Sequence, residues 1–228
     1  MQAIAAEMKH SETAFPVELE ADRYTLRWFT PTVEVELCGH ATLAAAHVLW
    51  ESKRASERIT FETRSGELTA ERHGRSVVLD FPADFPQSDE MSNESIRAIG
   101  KDPLYFGSGS QFWIAELENE ESVRHFRPDF EAIEALAKVG LIITARSDEP
   151  TYDFVSRVFA PQAGVLEDPV TGSAHCLLAP YWSAKLEKTN MIGHQVSERG
   201  GIVSVEMNGS RVKLSGSAVT TLVGELFL

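Results

Sequence analysis

An internal repeat constrains this chain of 228 residues more than any other feature. At a spacing of 130 residues, Phe29-Thr30-Pro31 matches Phe159-Ala160-Pro161, Val35 matches Val165, Cys38 matches Asp168 and Ala44 matches Ala174. Each copy reads as a strand, Phe-x-Pro, a loop with a chemically distinctive residue, a glycine and an alanine-rich helix. A repeat of this kind narrows the architectures open to a chain. It implies two related lobes, each with a long helix packed on strands.

Local patterning fills in the lobes. Residues 1–10 are expected to form a short helix, with Ile4 and Met8 one turn apart. Thr13 to Leu19 and Tyr24 to Thr30 read as strands around the turn Glu20-Ala21-Asp22. Ala41 to Trp50 reads as a buried helix, followed by strands at Ile59 to Glu62, Glu67 to Arg72 and Ser76 to Phe81. Pro82 and Pro86 end that run. Ser92 is placed to cap a helix reaching Ile99. In the second half, Gln111 to Leu117, Leu141 to Ala145 and Phe154 to Phe159 read as strands. Phe130 to Lys138 reads as a helix ended by Gly140, and Ser173 to Leu186 as a helix that Pro180 must kink or shorten. His194 to Ser197, Ile202 to Met207, Arg211 to Leu214 and Ala218 to Leu226 read as closing strands, with a hairpin turn at Asn208-Gly209. The expected fold is α/β: a first lobe over residues 1–108, a second over 109–217, and a strand over 218–228 that returns to the first.

Composition excludes several classes of function. With 34 acidic against 21 basic residues the net charge is −13, and the average field repels nucleic acid and anionic lipid. No apolar run approaches the roughly 18 residues of a membrane helix, and Met1 to Met8 lacks the basic start and apolar run of a signal peptide. Two cysteines, Cys38 and Cys176, build no disulfide framework and fit a cytoplasmic setting.

The repeat loops carry the chemistry. In Glu34-Val35-Glu36-Leu37-Cys38-Gly39-His40-Ala41-Thr42, His40 and Thr42 open a helix whose N-terminal amides favour a thiolate or a bound carboxylate. The plain alternative is a glycine turn beside a small buried thiol. In Val165-Leu166-Glu167-Asp168-Pro169-Val170-Thr171-Gly172-Ser173-Ala174, Thr171 or Ser173 can cap and Gly172 permits close backbone approach. Here the alternative is an ordinary Asp-Pro turn. Equivalent positions in two lobes would aim both helix N-termini at one cleft, able to hold a carboxylate between an acid and a base. Glu12, in His10-Ser11-Glu12-Thr13-Ala14-Phe15, sits at a helix-to-strand junction. Partial burial there would raise its pKa; the alternative is a solvated loop carboxylate. No residue set closes a metal site: His40 and His47 are seven apart, and Cys176 adjoins His175 alone.

Ser11-Glu12-Thr13-Ala14-Phe15, Trp28-Phe29-Thr30-Pro31, Cys38-Gly39-His40-Ala41-Thr42-Leu43-Ala44-Ala45-Ala46 and Asp168-Pro169-Val170-Thr171-Gly172-Ser173-Ala174-His175, in that order, resemble the signature segments of the phenazine-biosynthesis PhzF-like isomerase family. The resemblance spans essentially the whole chain. It implies a diaminopimelate epimerase-like fold, two lobes each with a curved mixed sheet or barrel around a central helix. It implies cofactor-independent proton transfer on a small, carboxylate-bearing substrate, amino acid-like or cyclic, in a biosynthetic process. Glu12 takes the place of the family's acid/base glutamate, with Asp168 and His40 assisting; Ser11, Gly172 and Ser173 fall at positions near the substrate carboxylate, and Gly39 joins them as the head of the other helix N-terminus. Related epimerases use a cysteine in each loop. Only Cys38 matches one, leaving it an assisting role, and Asp168 stands in the other place, against a two-cysteine mechanism. The family carries a further strand and a Gly-Asn-Pro-Ala segment ahead of the first helix that nothing in this chain matches. The first lobe is therefore expected to lack its first strand, exposing a sheet edge that favours a homodimer. The alternative function is an N-terminally truncated, non-catalytic binding protein that keeps the fold; a racemase built on Cys38 is a third reading.

Overall fold

The computed structural model describes residues 1–74 and 76–226. The first half runs α1 (Gln2–Met8), β1 (Thr13–Glu20), β2 (Arg23–Phe29), β3 (Glu34–Val35), α2 (Gly39–Glu51), then the meander β4 (Arg58–Thr63), β5 (Gly66–His73) and β6 (Ser76–Pro82). Next come β7 (Gln87–Ser88), α3 (Asn93–Ile99), β8 (Tyr105–Ser108), β9 (Phe112–Glu116), α4 (Glu120–Arg124), α5 (Phe130–Glu134), β10 (Gly140–Arg146), β11 (Phe154–Ala160) and β12 (Val165–Asp168). The chain continues through α6 (Gly172–Leu186), β13 (Asn190–Gln195), β14 (Gly201–Asn208) and β15 (Arg211–Gly216).

The repeat is real in three dimensions. β2 lies between antiparallel β1 and parallel β4, with α2 as the crossover; β11 lies between antiparallel β10 and parallel β13, with α6 as the crossover. Short β3 and β12 fold back on β2 and β11. β2 and β11 keep the spacing of 130, but the elements that follow them do not. The N-caps are Cys38 and Thr171. Ala44 is exposed whereas Ala174 is fully buried; the buried partners are Ala41 with Ala174, Thr42 with His175 and Leu49 with Trp182. Val35 lies opposite Trp28 and Asp168 opposite the equivalent Val158, so the three extra residues of the second copy lie between β11 and the end of β12, ahead of Asp168. This corrects the sequence pairings of Val35 with Val165, of Cys38 with Asp168 and of Ala44 with Ala174.

α6 is buried on nearly every side, as a helix wrapped by a sheet must be. Pro180 does not shorten it: the helix continues through the proline to Leu186. Proline lacks the N–H that would satisfy the Cys176 carbonyl four residues back. The Asp84 N–H donates to that carbonyl instead, at 3.0 Å. α5 stops at Glu134, short of the expected Lys138, because the Gln162 side chain donates to the Glu134 and Leu136 carbonyls at 2.8 and 2.5 Å.

One sheet path runs β1-β2-β4-β5-β6-β15-β14-β13-β11-β10-β9-β8-β7, so the lobes join along β6 and β15. β7 pairs with β8 and β8 with β9, so the strands on either side of residue 108 lie side by side in the sheet. Ala218 to Leu226 forms no strand; Val219, Leu222 and Val223 are exposed, and Phe227 and Leu228 lie outside the described residues. From that segment the Thr220 hydroxyl donates to Glu51 of α2 and lies 3.3 Å from His47 on the same helix. The 208–211 hairpin is present, its positive φ confined to Gly209. Among the described residues, no helix is long and apolar enough to cross a membrane.

Candidate active site

Both central helices begin at one point. A Cβ on Gly39 would lie 2.8 Å from the Gly172 Cα, and the converse distance is the same. Neither N-cap residue caps through its side chain. In each helix the fourth residue after the cap bonds back to the cap carbonyl: Thr42 Oγ1 donates to Cys38 O at 2.6 Å, and His175 Nδ1 lies 2.8 Å from Thr171 O. Two sets of N-terminal amides and two positive dipole ends therefore meet beside a cleft of about 360 Å³.

Glu12, Asp168, Thr171 and Ser173 line that cleft, with Val35, Leu37, Phe112, Val158 and Val165 among its apolar walls. Glu12 is held at the start of β1. Its Oε2 lies 3.0 Å from His40 Nε2, close enough for an ion pair, although the angle makes no hydrogen bond. Ser11 Oγ lies 3.3 Å from the same nitrogen, and Cys38 Sγ lies 3.8 Å from both ring nitrogens. On the opposite lobe, the Thr171 hydroxyl donates to Asp168 Oδ2 at 2.6 Å, while Asp168 Oδ1 is buried without a partner.

The structure brings Glu12, Asp168, His40, Ser11, Cys38, Gly39, Gly172 and Ser173 to this one region. It corrects their expected electrostatics in two places. Burial pushes Glu12 upward, but His40, Ser11 and Cys38 outweigh it, so its pKa falls below the ordinary 4.5 rather than rising. Burial pushes the Cys38 thiol up against the pull of His40, which opposes the thiolate expected at a helix N-terminus. Burial also raises Asp168, only partly offset by His40 and Thr171. Desolvation disfavours the His40 cation, yet Cys38, Glu12 and Asp168 prevail and hold its pKa well above 6.5. Two carboxylates pushed in opposite directions around a cation form an acid/base arrangement.

Sequence reasoning missed Gln195. It is fully buried at the end of β13. Its side-chain oxygen accepts from the Thr171 N–H at 2.8 Å, and its amide nitrogen donates to the Asp168 carbonyl at 2.6 Å. This clamp fixes the short connection from Asp168 at the end of β12 to Thr171 at the head of α6. The available signal is a polar side chain in the strand-like stretch Met191 to Val196, two residues after Gly193. Thr171→Val keeps the shape but removes the hydroxyl that steadies the Asp168 carboxylate. The Asp168 pKa, followed by carbon NMR of its carboxyl, is expected to rise further; an unchanged titration would contradict the assigned hydrogen bond.

The family model described as "Phenazine biosynthesis-like protein" matches residues 1–224. An uncharacterized isomerase of Halalkalibacterium halodurans is 47% identical over 231 residues, which cover 100% of this chain and 87% of that protein. The crystal structure of a phenazine biosynthesis protein of the PhzF family from Enterococcus faecalis is 42% identical, covers 100% of this chain and 86% of its own, and superposes with a TM-score of 0.91. A probable proline racemase from Agrobacterium radiobacter is 13% identical with a TM-score of 0.68, covering 95% of this chain and 75% of its own; it shares the fold alone. The fold is diaminopimelate epimerase-like.

Proposed function

The chain belongs to the phenazine biosynthesis-like family, and on that premise we propose that it is a cofactor-independent isomerase or epimerase that moves a proton on a small carboxylate-bearing molecule. The observation that carries this reading is the placement of Glu12 and Asp168 on one cleft with opposite pKa displacements. Glu12, ionised and paired with the His40 cation, takes a proton from a carbon of the substrate and returns it to another. Asp168, on the other lobe, faces the opposite side of the substrate and assists the transfer. The amides at Gly39 and Gly172 receive the substrate carboxylate, and their dipoles favour its charge. Apolar walls suit a cyclic or hydrocarbon body and exclude the water that would screen these charges. Burial of the Cys38 thiol in its neutral form disfavours a racemase built on it.

The test is solvent exchange. The protein is incubated in deuterium oxide with a panel of cyclic and aromatic amino acids and hydroxy acids, and deuterium at carbon is read by NMR. Incorporation into at least one compound is expected; none across the panel, with the compounds shown to bind by thermal shift, favours the non-catalytic binding reading. The rate should also trace a bell against pH. Glu12 must be ionised, so the acid limb lies below pH 4.5. The His40 cation must survive, so the alkaline limb lies above pH 6.5. An acid limb above pH 4.5 that stays in place when Thr171→Val shifts Asp168 would remove Glu12 from the role of base.

A further inference from the structure

We propose that Glu12, Cys38 and His40 also form a three-ligand site for a thiophilic divalent cation such as Zn²⁺, whose binding reversibly shuts off proton transfer. One donor atom from each residue lies within 4.8 Å of the other two. The three come from different positions in the fold: the junction ahead of β1, the N-cap of α2 and the second residue of that helix. Thiolate, imidazole and carboxylate together suit zinc or cadmium. Glu12 Oε2 is buried with no hydrogen bond of its own. It is 3.0 Å from His40 Nε2, which in turn is 3.8 Å from Cys38 Sγ, so small side-chain adjustments bring all three to one ion. The cleft beside Glu12 leaves a fourth position for water or a substrate oxygen.

Coordination breaks the Cys38 S–H bond and forms a sulfur–metal bond. That proton, and any proton on the coordinating imidazole nitrogen, passes to buffer; nothing is oxidised or reduced. The ion then occupies the carboxylate that the proposed isomerase needs as a base. The inhibitory consequence rests on that functional reading, while the site itself does not. Cys176, the second cysteine of the chain, lies within α6 and cannot replace Cys38.

The test uses Cd²⁺ as an absorbing probe, without substrate, with Zn²⁺ as competitor. One equivalent of Cd²⁺ is expected to give a sulfur-to-metal charge-transfer band that Zn²⁺ abolishes. Cys38→Ser should lose the band and Cys176→Ser should keep it. His40→Gln and Glu12→Gln should each weaken Cd²⁺ binding by about tenfold or more, with circular dichroism confirming that each variant is folded. A band that persists in Cys38→Ser, or affinities unchanged in both His40→Gln and Glu12→Gln, overturns the site. Zn²⁺ should also suppress deuterium exchange, and a chelator should restore it. Metal binding without any exchange activity would leave the site standing and count against the proposed reaction; exchange activity with no Cd²⁺ band would do the reverse.

Discussion

Glu12→Gln is expected to lower the rate of deuterium exchange into a substrate by about 10²–10⁴-fold, the usual contribution of a positioned acid/base group. Glutamine preserves the length and most of the contacts of the side chain while removing its ability to take a proton. The charge it deletes also faces His40 at 3.0 Å, so the His40 pKa should fall as one of the influences raising it disappears. The variant therefore has two readouts: exchange collapses, and the imidazole titrates at lower pH. Retained exchange would sink the role assigned to Glu12. Lost exchange with an unmoved His40 would mean that the two side chains do not interact as placed.

Gly172→Ala is expected to have the second large effect, on stability and activity together. The added methyl would lie 2.8 Å from the Gly39 Cα, and the obstruction is backbone, not a side chain that can swing aside. The two helices must separate at their N-termini. Overpacking of this kind costs about 1–3 kcal/mol; against rigid backbone, the upper end is expected. For a chain of this size that lowers the melting midpoint by roughly 6–12 °C. Gly39→Ala should behave similarly, and the double variant should lose less than the two single losses added, because both methyls separate the same pair of helices. Calorimetry on the four proteins decides it: additive losses would mean that the two glycines do not share one contact.

Much of this molecule was legible in the sequence because its signals are local. Ser92 does accept from the Ser95 N–H at 3.2 Å, as its position before a helix predicts. The meander from Arg58 to Pro82 follows its alternation of buried and outward residues. The failures share a different origin. The repeat keeps one phase through Phe29 and Phe159, which belong to strands, whereas three extra residues between β11 and Asp168 shift everything that follows. Pro180 looked like a helix breaker because its compensation comes from Asp84, far away in sequence. Ala218 to Leu226 has the composition of a strand but no strand partner among the described residues, and pairing rather than propensity makes a strand. The direction of the Glu12 pKa depended on His40 at the head of α2 and could not follow from its own neighbours. Gln195 was invisible for the same reason: its value lies in a loop that precedes it across the whole of α6.

The seam between β6 and β15 has a consequence for how the chain reaches this state. Its hydrogen bonds include that from Arg211 to Asp80, which joins residues 131 positions apart. During synthesis, the meander of the first lobe emerges early, yet the edge of β6 finds its partner only when β15 has left the ribosome. Through that interval it is an unpaired edge, open to pairing with another chain. At equilibrium the long closure is cheap, since each doubling of loop length adds only about 0.6 kcal/mol. Kinetically it is not, because contacts distant in sequence slow folding. The strand pair that unites the two lobes is thus the last piece of the sheet to become available, and the interval before it arrives is when a newly made chain is most exposed to aggregation.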